Sequence, residues 1–339
     1  MTEFKRATMH DVAKKAGVTI GTVSNVINNP EKVAEETIEK VNEAIKSLNY
    51  VPNILARNMR SKNNKMIGLL IPNLSNNFCS GITTALSNKA YNEGYTIIVL
   101  GFEYSIEKEK KALKSLYEHN VETIIILNGH SDEKYLESYI KKGVKFILVD
   151  RRADVEGVSY VEFDNKATMD ILVRTLKDKG YQSIGFISEP LDLSNIHDRY
   201  DGYRDALVKY GYSFKESYVF ISEELCLNNA ENGYLHMKRV LEKHRRDELP
   251  DVFIVSSDFQ AIGVQKAILE KGYRIPEDFG VIGCDDISID EYVTPRLSSI
   301  HQDRELLSDA IWKMVKKKHK GQEIANVMLP QSLTLRDSI

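Results

Sequence analysis

Two sets of side chains in this 339-residue chain have the types and spacing to do chemistry. The first is a run of short polar residues between Thr19 and Asn28, hydroxyls and amides that donate and accept hydrogen bonds without carrying charge. The second is a group of polar residues that each follow an apolar run: Asp150 after 146–149, Ser257 and Asp258 after 252–256, and Asp285 after 281–284. Both sets suit recognition rather than bond breaking. The chain has no G-x-S-x-G elbow, no G-x-x-x-x-G-K-[ST] loop and no H-E-x-x-H pair, so no catalytic residue and no cofactor is assigned. Its eight histidines, among them His119, His130, His197, His236 and His301, are scattered and read as surface residues rather than metal ligands. Asp285 and Asp286 are adjacent, so their side chains point apart and carry no hydrolase signature.

The first set needs an element that holds it outward. Thr8 and Asp11 can cap a helix start, with the carboxylate on the positive end of the helix dipole. Met9, Val12, Ala13 and Ala16 then recur at helical spacing, and Gly17 offers the positive φ that ends a helix. Thr19 can cap a second helix whose Val23, Val26 and Ile27 face inward. Ile20, Gly21, Thr22, Ser24 and Asn25 are left on its outer, N-terminal part. Two short helices joined by a glycine turn match the helix-turn-helix, which lays its second helix in the DNA major groove. The pattern equally allows an antiparallel helix pair inside a core. A wing-like turn at 29–34 and a third helix over 35–48 follow, with Ile38, Val41, Ile45 and Leu48 as one apolar stripe and Asn49 as a left-handed cap. The segment 52–61 begins with proline and has helical propensity, but is too short to be stable alone; it orders when something holds it, or remains a mobile linker.

The second set needs parallel strands, because ligands of such sheets lie beyond their carboxyl ends. Strands are expected at 66–71, 96–100, 123–127 and 146–149, with helices at 77–91, 107–118 and 132–142. The order repeats, with strands at 183–187, 252–256 and 281–284 and helices at 165–179, 198–210, 228–242 and 259–270. A tail of helix, 303–320, and strands, 326–336, crosses back between the halves. The alternation implies an α/β fold of two lobes, each a parallel sheet covered on both faces. With 42% hydrophobic and 28% charged residues the chain is globular. Residues 1–65 carry 11 Lys/Arg against 7 Asp/Glu and the remainder 35 against 42, so a basic head precedes an acidic body. Cys79, Cys226 and Cys284 are far apart and read as buried or idle thiols of a reducing cytosol. No signal core or membrane-length apolar run occurs, and a cytoplasmic protein is expected.

Residues 8–61 carry T-x-x-DVA-x-x-AGV-T-x-x-TVS-x-V-x-N, then LNY-x-PN, then A-R-x-M, in the order and spacing of the lactose-repressor and galactose-repressor (LacI/GalR) family, which the chain resembles without a gap. The resemblance implies a helix-turn-helix domain over 1–51, a hinge helix and linker over 52–64, and an effector-binding and dimerisation core over 65–339. That core resembles the periplasmic-binding-protein type I fold, a pair of Rossmann-like lobes, lobe 1 about 65–163 and 294–325 and lobe 2 about 164–293 and 326–339. Carried over position by position, the base readers fall on Ile20, Gly21 and Asn25. Thr8, Thr19, Thr22, Ser24, Asn28 and Lys32 lie nearer the DNA backbone, and Asn53, Ala56 and Met59 in the hinge. Met59 stands where a leucine usually wedges the minor groove, and Asn25 where arginine is common; asparagine suits adenine and arginine guanine.

In the cleft the resemblance marks Phe78, within PNLSNNF, where Asn73 and Asn77 replace the usual aspartate and proline, and Arg199, three residues before Gly202-Tyr203. Phe78 stacks on a ligand face or is a core aromatic. With Asp150, Ser257 and Asp285 these form the expected effector set, Arg199 facing Asp285 as its strongest pair; Asp258 and Asp286 read as helix caps. An interlobe ion pair is the structural alternative. The family implies a homodimeric repressor on a pseudo-palindromic operator in double-stranded DNA, controlled by a small molecule with carbohydrate as the prior and a nucleobase as the minority option. Gating by a phosphorylated carrier protein, as in the catabolite-control branch, is the alternative, and a solute-binding protein is less compatible with the head.

Overall fold

A computed structural model of the chain describes residues 7–51, 65–130, 132–322 and 324–339. Its contacts separate two units, Met1–Asn64 and Lys65–Ile339. In the first, the Thr8 hydroxyl accepts from the Asp11 N–H while the Asp11 carboxylate accepts from the Thr8 N–H at 2.8 Å, and this reciprocal cap starts α1, Met9–Ala16. Gly17, at φ 68°, ends it. Thr19 Oγ1 accepts from the Thr22 N–H at 3.1 Å and starts α2, Ile20–Asn28. The expected wing is instead one turn of 3-10 helix, Pro30–Lys32, because proline at its first position sets φ for a helical turn. α3, Glu35–Ser47, closes the head over a core of Val12, Ala13, Val23, Val26, Val41, Ala44 and Tyr50. Each of the four valines contributes about 1.5–3 kcal/mol on burial, enough to hold three short helices that would not persist alone. The hinge residues Asn53, Ala56 and Met59 lie outside the described residues.

The second unit begins with β1, Met66–Ile71, every residue of it buried. It continues through α4 (Asn77–Asn92), β2 (Thr96–Gly101), α5 (Ile106–Glu118), β3 (Thr123–Leu127), α6 (Glu133–Ile140), β4 (Lys145–Val149) and β5 (Val158–Phe163). The chain then builds α7 (Asn165–Asp178), β6 (Ile184–Ser188), α8 (Ser194–Lys209), β7 (Val219–Ile221), α9 (Ala230–Lys243), β8 (Val252–Val255), α10 (Asp258–Glu270), β9 (Gly280–Asp285) and β10 (Ser298–His301). α11 (Arg304–His319), β11 (Val327–Leu329) and β12 (Ser332–Thr334) complete it. The first sheet runs β11-β5-β4-β3-β1-β2 and the second β12-β10-β9-β8-β6-β7; β12 alone among the assigned strands pairs antiparallel. Leaving the tail strands aside, both have the doubly wound order in which the first strand sits between the second and the third. Each sheet therefore reverses direction of winding at a crevice at its carboxyl edge.

The lobe boundaries differ from expectation. β10 belongs to the second sheet and β11 to the first, so the chain crosses between lobes near 164, at 302–303 and at 330–331, not at 294 and 326. β5 and β10 escaped the sequence pattern because polar residues interrupt it, and β7, Val-Phe-Ile, because three residues are too few to show a period. In β5 Glu162 is buried and paired with Arg152 at 3.0 Å, and in β10 the hydroxyl of Ser299 donates to Asp258 at 2.6 Å. Both sheets are packed on both faces: Ile67, Leu69 and Ile71 meet α4 and α11, while Leu70, Ile124 and Phe146 meet α5 and α6. Where helices cross, Gly202 of α8 lets the backbones meet, since a Cβ there would stand 2.8 Å from Lys166 Cα.

Candidate functional site

In the head, the residues expected near the DNA backbone are partly engaged in holding the helices. Thr8 and Thr19 are caps, the Thr19 and Thr22 hydroxyls lie 2.9 Å apart, and Asn28 Nδ2 donates to the Ser24 carbonyl at 2.8 Å and its hydroxyl at 3.3 Å. Ile20, Gly21, Asn25 and Lys32 are exposed. The Asn25 amide makes no hydrogen bond to a described residue, so its donor and acceptor remain available on the outer face of α2.

In the second unit, a cavity of about 110 Å³ lies between the lobes and collects residues from the carboxyl ends of both sheets. Phe78, Asp150, Arg199 and Asp285 line it, together with Asn76, Tyr104, Asn128, His130, Glu189, Asp192, Asn195, Asn228, Ser256 and Gln302. Its backbone is unusual: Tyr104, Asn128, Asp150, Asn228 and Asp285 all have positive φ, 56°, 44°, 56°, 47° and 125°. Such conformations are uncommon for side chains with a Cβ and cluster where a site demands them. Tyr104, Asn128, Asp150 and Asp285 turn the chain at or beyond a strand end and Asn228 at the end of the 3-10 helix Glu223–Leu227, and all five line the cleft.

Phe78 is both of its expected things, a member of the core under α4 and part of the cavity wall. Arg199 is buried, but it does not pair with Asp285. Its Nη1 donates to the Ser256 carbonyl at 2.8 Å, and its Nε and Nη2 to Asn165 Oδ1 at 3.3 and 3.2 Å. Among the described residues no carboxylate oxygen lies within ion-pair distance of it. Burial works against its charge, but Cys284, Asp150, Asp285 and Glu189 raise its pKa on balance, so the guanidinium stays charged and unneutralised by contact. Burial raises the pKa of Asp150, and burial with Asp258 raises that of Asp285 well above the carboxylate range.

Ser257 does not face the ligand space. It caps α10 and bonds to Asn228, while its neighbour Ser256 lines the cavity, because the strand ends one residue earlier than expected. Asp258 and Asp286 are not caps. Asp258 is wholly buried against the Ser299 hydroxyl and the Ile287 N–H, and Asp286 pins the tail through Arg336 at 2.7 Å, His301 at 2.8 Å and Thr334 at 3.0 Å. His130 is half-buried in the cavity wall rather than a free surface residue, and burial lowers its pKa and keeps it neutral, while His301 remains partly exposed as it bonds to Asp286. All three cysteines are free, Cys79 and Cys226 lining the cavity, where burial pushes their thiols up to about 12 and about 11.

Asn195 was hidden by the expected helix start at 198. α8 begins at Ser194, which turns Asn195 into the cleft, where its Nδ2 donates to Asp150 Oδ2 at 2.7 Å across the lobes. Tyr104, Asn128 and Glu189 follow β2, β3 and β6, so reading the residues after every expected strand, not four of them, finds them; Gln302 follows β10, which the sequence pattern did not show. Among the described residues no helix is long and apolar enough to cross a membrane.

This architecture, a helix-turn-helix head and two doubly wound lobes around a polar cleft, defines a DNA-binding regulator with an effector domain. The model of the lacI family of bacterial regulatory proteins matches residues 8–53, and that of a periplasmic binding protein-like domain matches 173–339. The chain is 32% identical to the HTH-type transcriptional repressor PurR of Edwardsiella ictaluri, over 91% of this chain and 89% of that one. It is also 32% identical to the ribose operon repressor of Halalkalibacterium halodurans, over 87% and 85%. Among solved structures, the lac repressor dimer bound to operator and the anti-inducer ONPF superposes with a TM-score of 0.83 at 27% identity, over 98% of this chain and 99% of that one. The chain belongs to the lacI family: it is a DNA-binding repressor with a periplasmic-binding-protein-like effector domain, and not an enzyme.

Proposed function

We propose that a sugar or sugar derivative of about one ring occupies the interlobe cavity and changes the affinity of a homodimer for a pseudo-palindromic operator. The observation that carries this is the wall of the cavity: an aromatic ring, a charged guanidinium held by neutral groups, and amides and carboxylates from both lobes around space for a single ring. Ring faces pack on Phe78, and hydroxyls meet the polar groups around the rim. One guanidinium against four carboxylates disfavours a phosphorylated ligand. The relatives support the reading, since one is a ribose operon repressor and another is a dimer on its operator.

On the DNA side, Ile20, Gly21 and Asn25 are the base readers, two heads are needed to read two half-sites, and residues 52–64 are the hinge that joins head to body. Because the ligand touches both lobes at the Asn195–Asp150 bond, its binding alters how they meet, and this is the event transmitted to the heads.

A thermal-shift screen of sugars, sugar phosphates and purines on the full chain tests the effector. A true ligand at about 100 times its Kd stabilises the body by about 2.7 kcal/mol. Arg199→Ala abolishes that shift while the unliganded variant still unfolds cooperatively. A shift that survives the substitution removes Arg199 from the site and the cleft from the proposal.

A further inference from the structure

The cavity has an excess of hydrogen-bond acceptors. Asp150 Oδ1, Asn195 Oδ1, Asn128 Oδ1 and Gln302 Oε1 are buried and have no partner among the described residues. Asp150, Asn195 and Gln302 are 4%, 2% and 1% exposed, so bulk water does not satisfy them. The Asn195 amide is fixed in orientation, because its Nδ2 already donates to Asp150 Oδ2; its oxygen is therefore a true acceptor. No described donor reaches the Asp285 carboxylate either. Leaving such groups unmade is unfavourable by about 1–3 kcal/mol each, so whatever fills the cleft brings donors to them.

Charge sharpens this. Asp150, Asp285, Glu189 and Asp192 face the space with Arg199 as the opposing cation, and His130 is neutral; burial holds Asp150 and Asp285 towards their neutral forms, and a cation placed against them favours the ionised form. Hydroxyls would supply donors but also bring lone pairs and no charge. An ammonium brings three donors, no acceptor and a positive charge, which fits an acceptor-rich, acid-rich wall.

We infer that the effector is an amino sugar, its protonated amine seated at Asp285 and its ring hydroxyls donating to the free oxygens of Asp150 and Asn195. This rests on the sugar reading of the cleft given above. The φ of 125° at Asp285 holds that carboxylate at the end of β9, and Asp150 and Asn195 meet across the lobes, so the ligand is gripped from both sides.

Isothermal titration of the full chain with glucosamine, galactosamine and mannosamine, beside glucose, galactose, mannose and their 6-phosphates, tests it. The expected result is at least about tenfold tighter binding of one amino sugar than of its parent, the difference a charge-assisted bond makes, with no binding of the phosphates. Asp285→Asn, which keeps the shape but cannot ionise against an ammonium, brings the pair to within about twofold. Asp150→Asn, tolerated at a left-handed φ, does the same in part and serves if the first variant does not fold. A parent sugar that binds as well as its amine overturns the inference and leaves the sugar reading standing. An amine preference that persists in both folded variants overturns it as well. No heat from any of these ligands overturns both readings together.

Discussion

Gly21 and Asn25 lie one helical turn apart on the exposed part of α2, and their neighbours explain neither. A Cβ at Gly21 would meet nothing closer than Thr19 Oγ1 at 3.7 Å, ordinary contact, and its φ is not of the kind that excludes other residues. Alanine there should therefore stabilise the helix by up to about 1 kcal/mol. A glycine kept against that preference points to close approach by something outside the chain. Gly21→Ala is expected to raise the unfolding temperature of the protein while weakening operator binding. On a randomised operator, Asn25→Arg should shift the selected base from adenine to guanine at one position in each half-site, a change of about 1–3 kcal/mol. Unchanged affinity in the first variant and unchanged selection in the second would leave both residues as bystanders.

At the scale of elements, the junction of α10 with β9 and β10 holds two acids in one dry place. Asp258 and Asp290 are both fully buried, neither oxygen of Asp290 has a described donor, and the two carboxyl groups lie within hydrogen-bond reach. Gly283 leaves the room, since a Cβ there would collide with Asp258 Oδ1. A proton held between them satisfies the pair, and burial with mutual repulsion raises it above the carboxylate range; Asp286 adds to the repulsion and Arg336 opposes it. The sign follows. The folded state binds this proton more tightly than the unfolded chain, so the stabilisation is complete below pH about 4 and is lost as pH rises through the native value. Asp290→Asn supplies a permanent donor in place of the proton. Chemical unfolding of the variant should show a shallower fall in stability between pH about 5 and about 8, by up to about 1.4 kcal/mol per pH unit. Identical slopes in the two proteins would show that the pair shares no proton.

For the whole molecule, the proposed control of operator affinity by an effector requires that the two act on one another through binding free energy, and such a coupling is reciprocal. If a ligand lowers operator affinity, it must itself bind more weakly once operator is bound, by the same factor, within about 5- to 150-fold for couplings of the usual size. Titrating the ligand with and without saturating operator measures both sides of the cycle. Equal ligand affinities in the two titrations would rule out regulation through the cleft.

What the sequence determined by itself is local. Thr8 with Asp11, Gly17 and Thr19 are enough to start and stop α1 and α2, because capping and left-handed backbone are decided within a few residues. The fully apolar run of β1 similarly announces a strand buried on both faces. Asp150, Arg199 and Asp285 were legible as cleft residues from the rule that ligands meet the carboxyl ends of parallel strands, supplemented by the family motif for Arg199. The tertiary structure decided the rest, where contacts join residues distant in the chain. It put β10 and β11 in lobes opposite to those expected, because a three- or four-residue strand takes its place from the sheet that accepts it. It gave the Arg199 guanidinium to Asn165 and a backbone carbonyl rather than to Asp285, and it started α8 early enough to bring Asn195 against Asp150. Partners of that kind depend on distances across two lobes, which no spacing along the chain encodes.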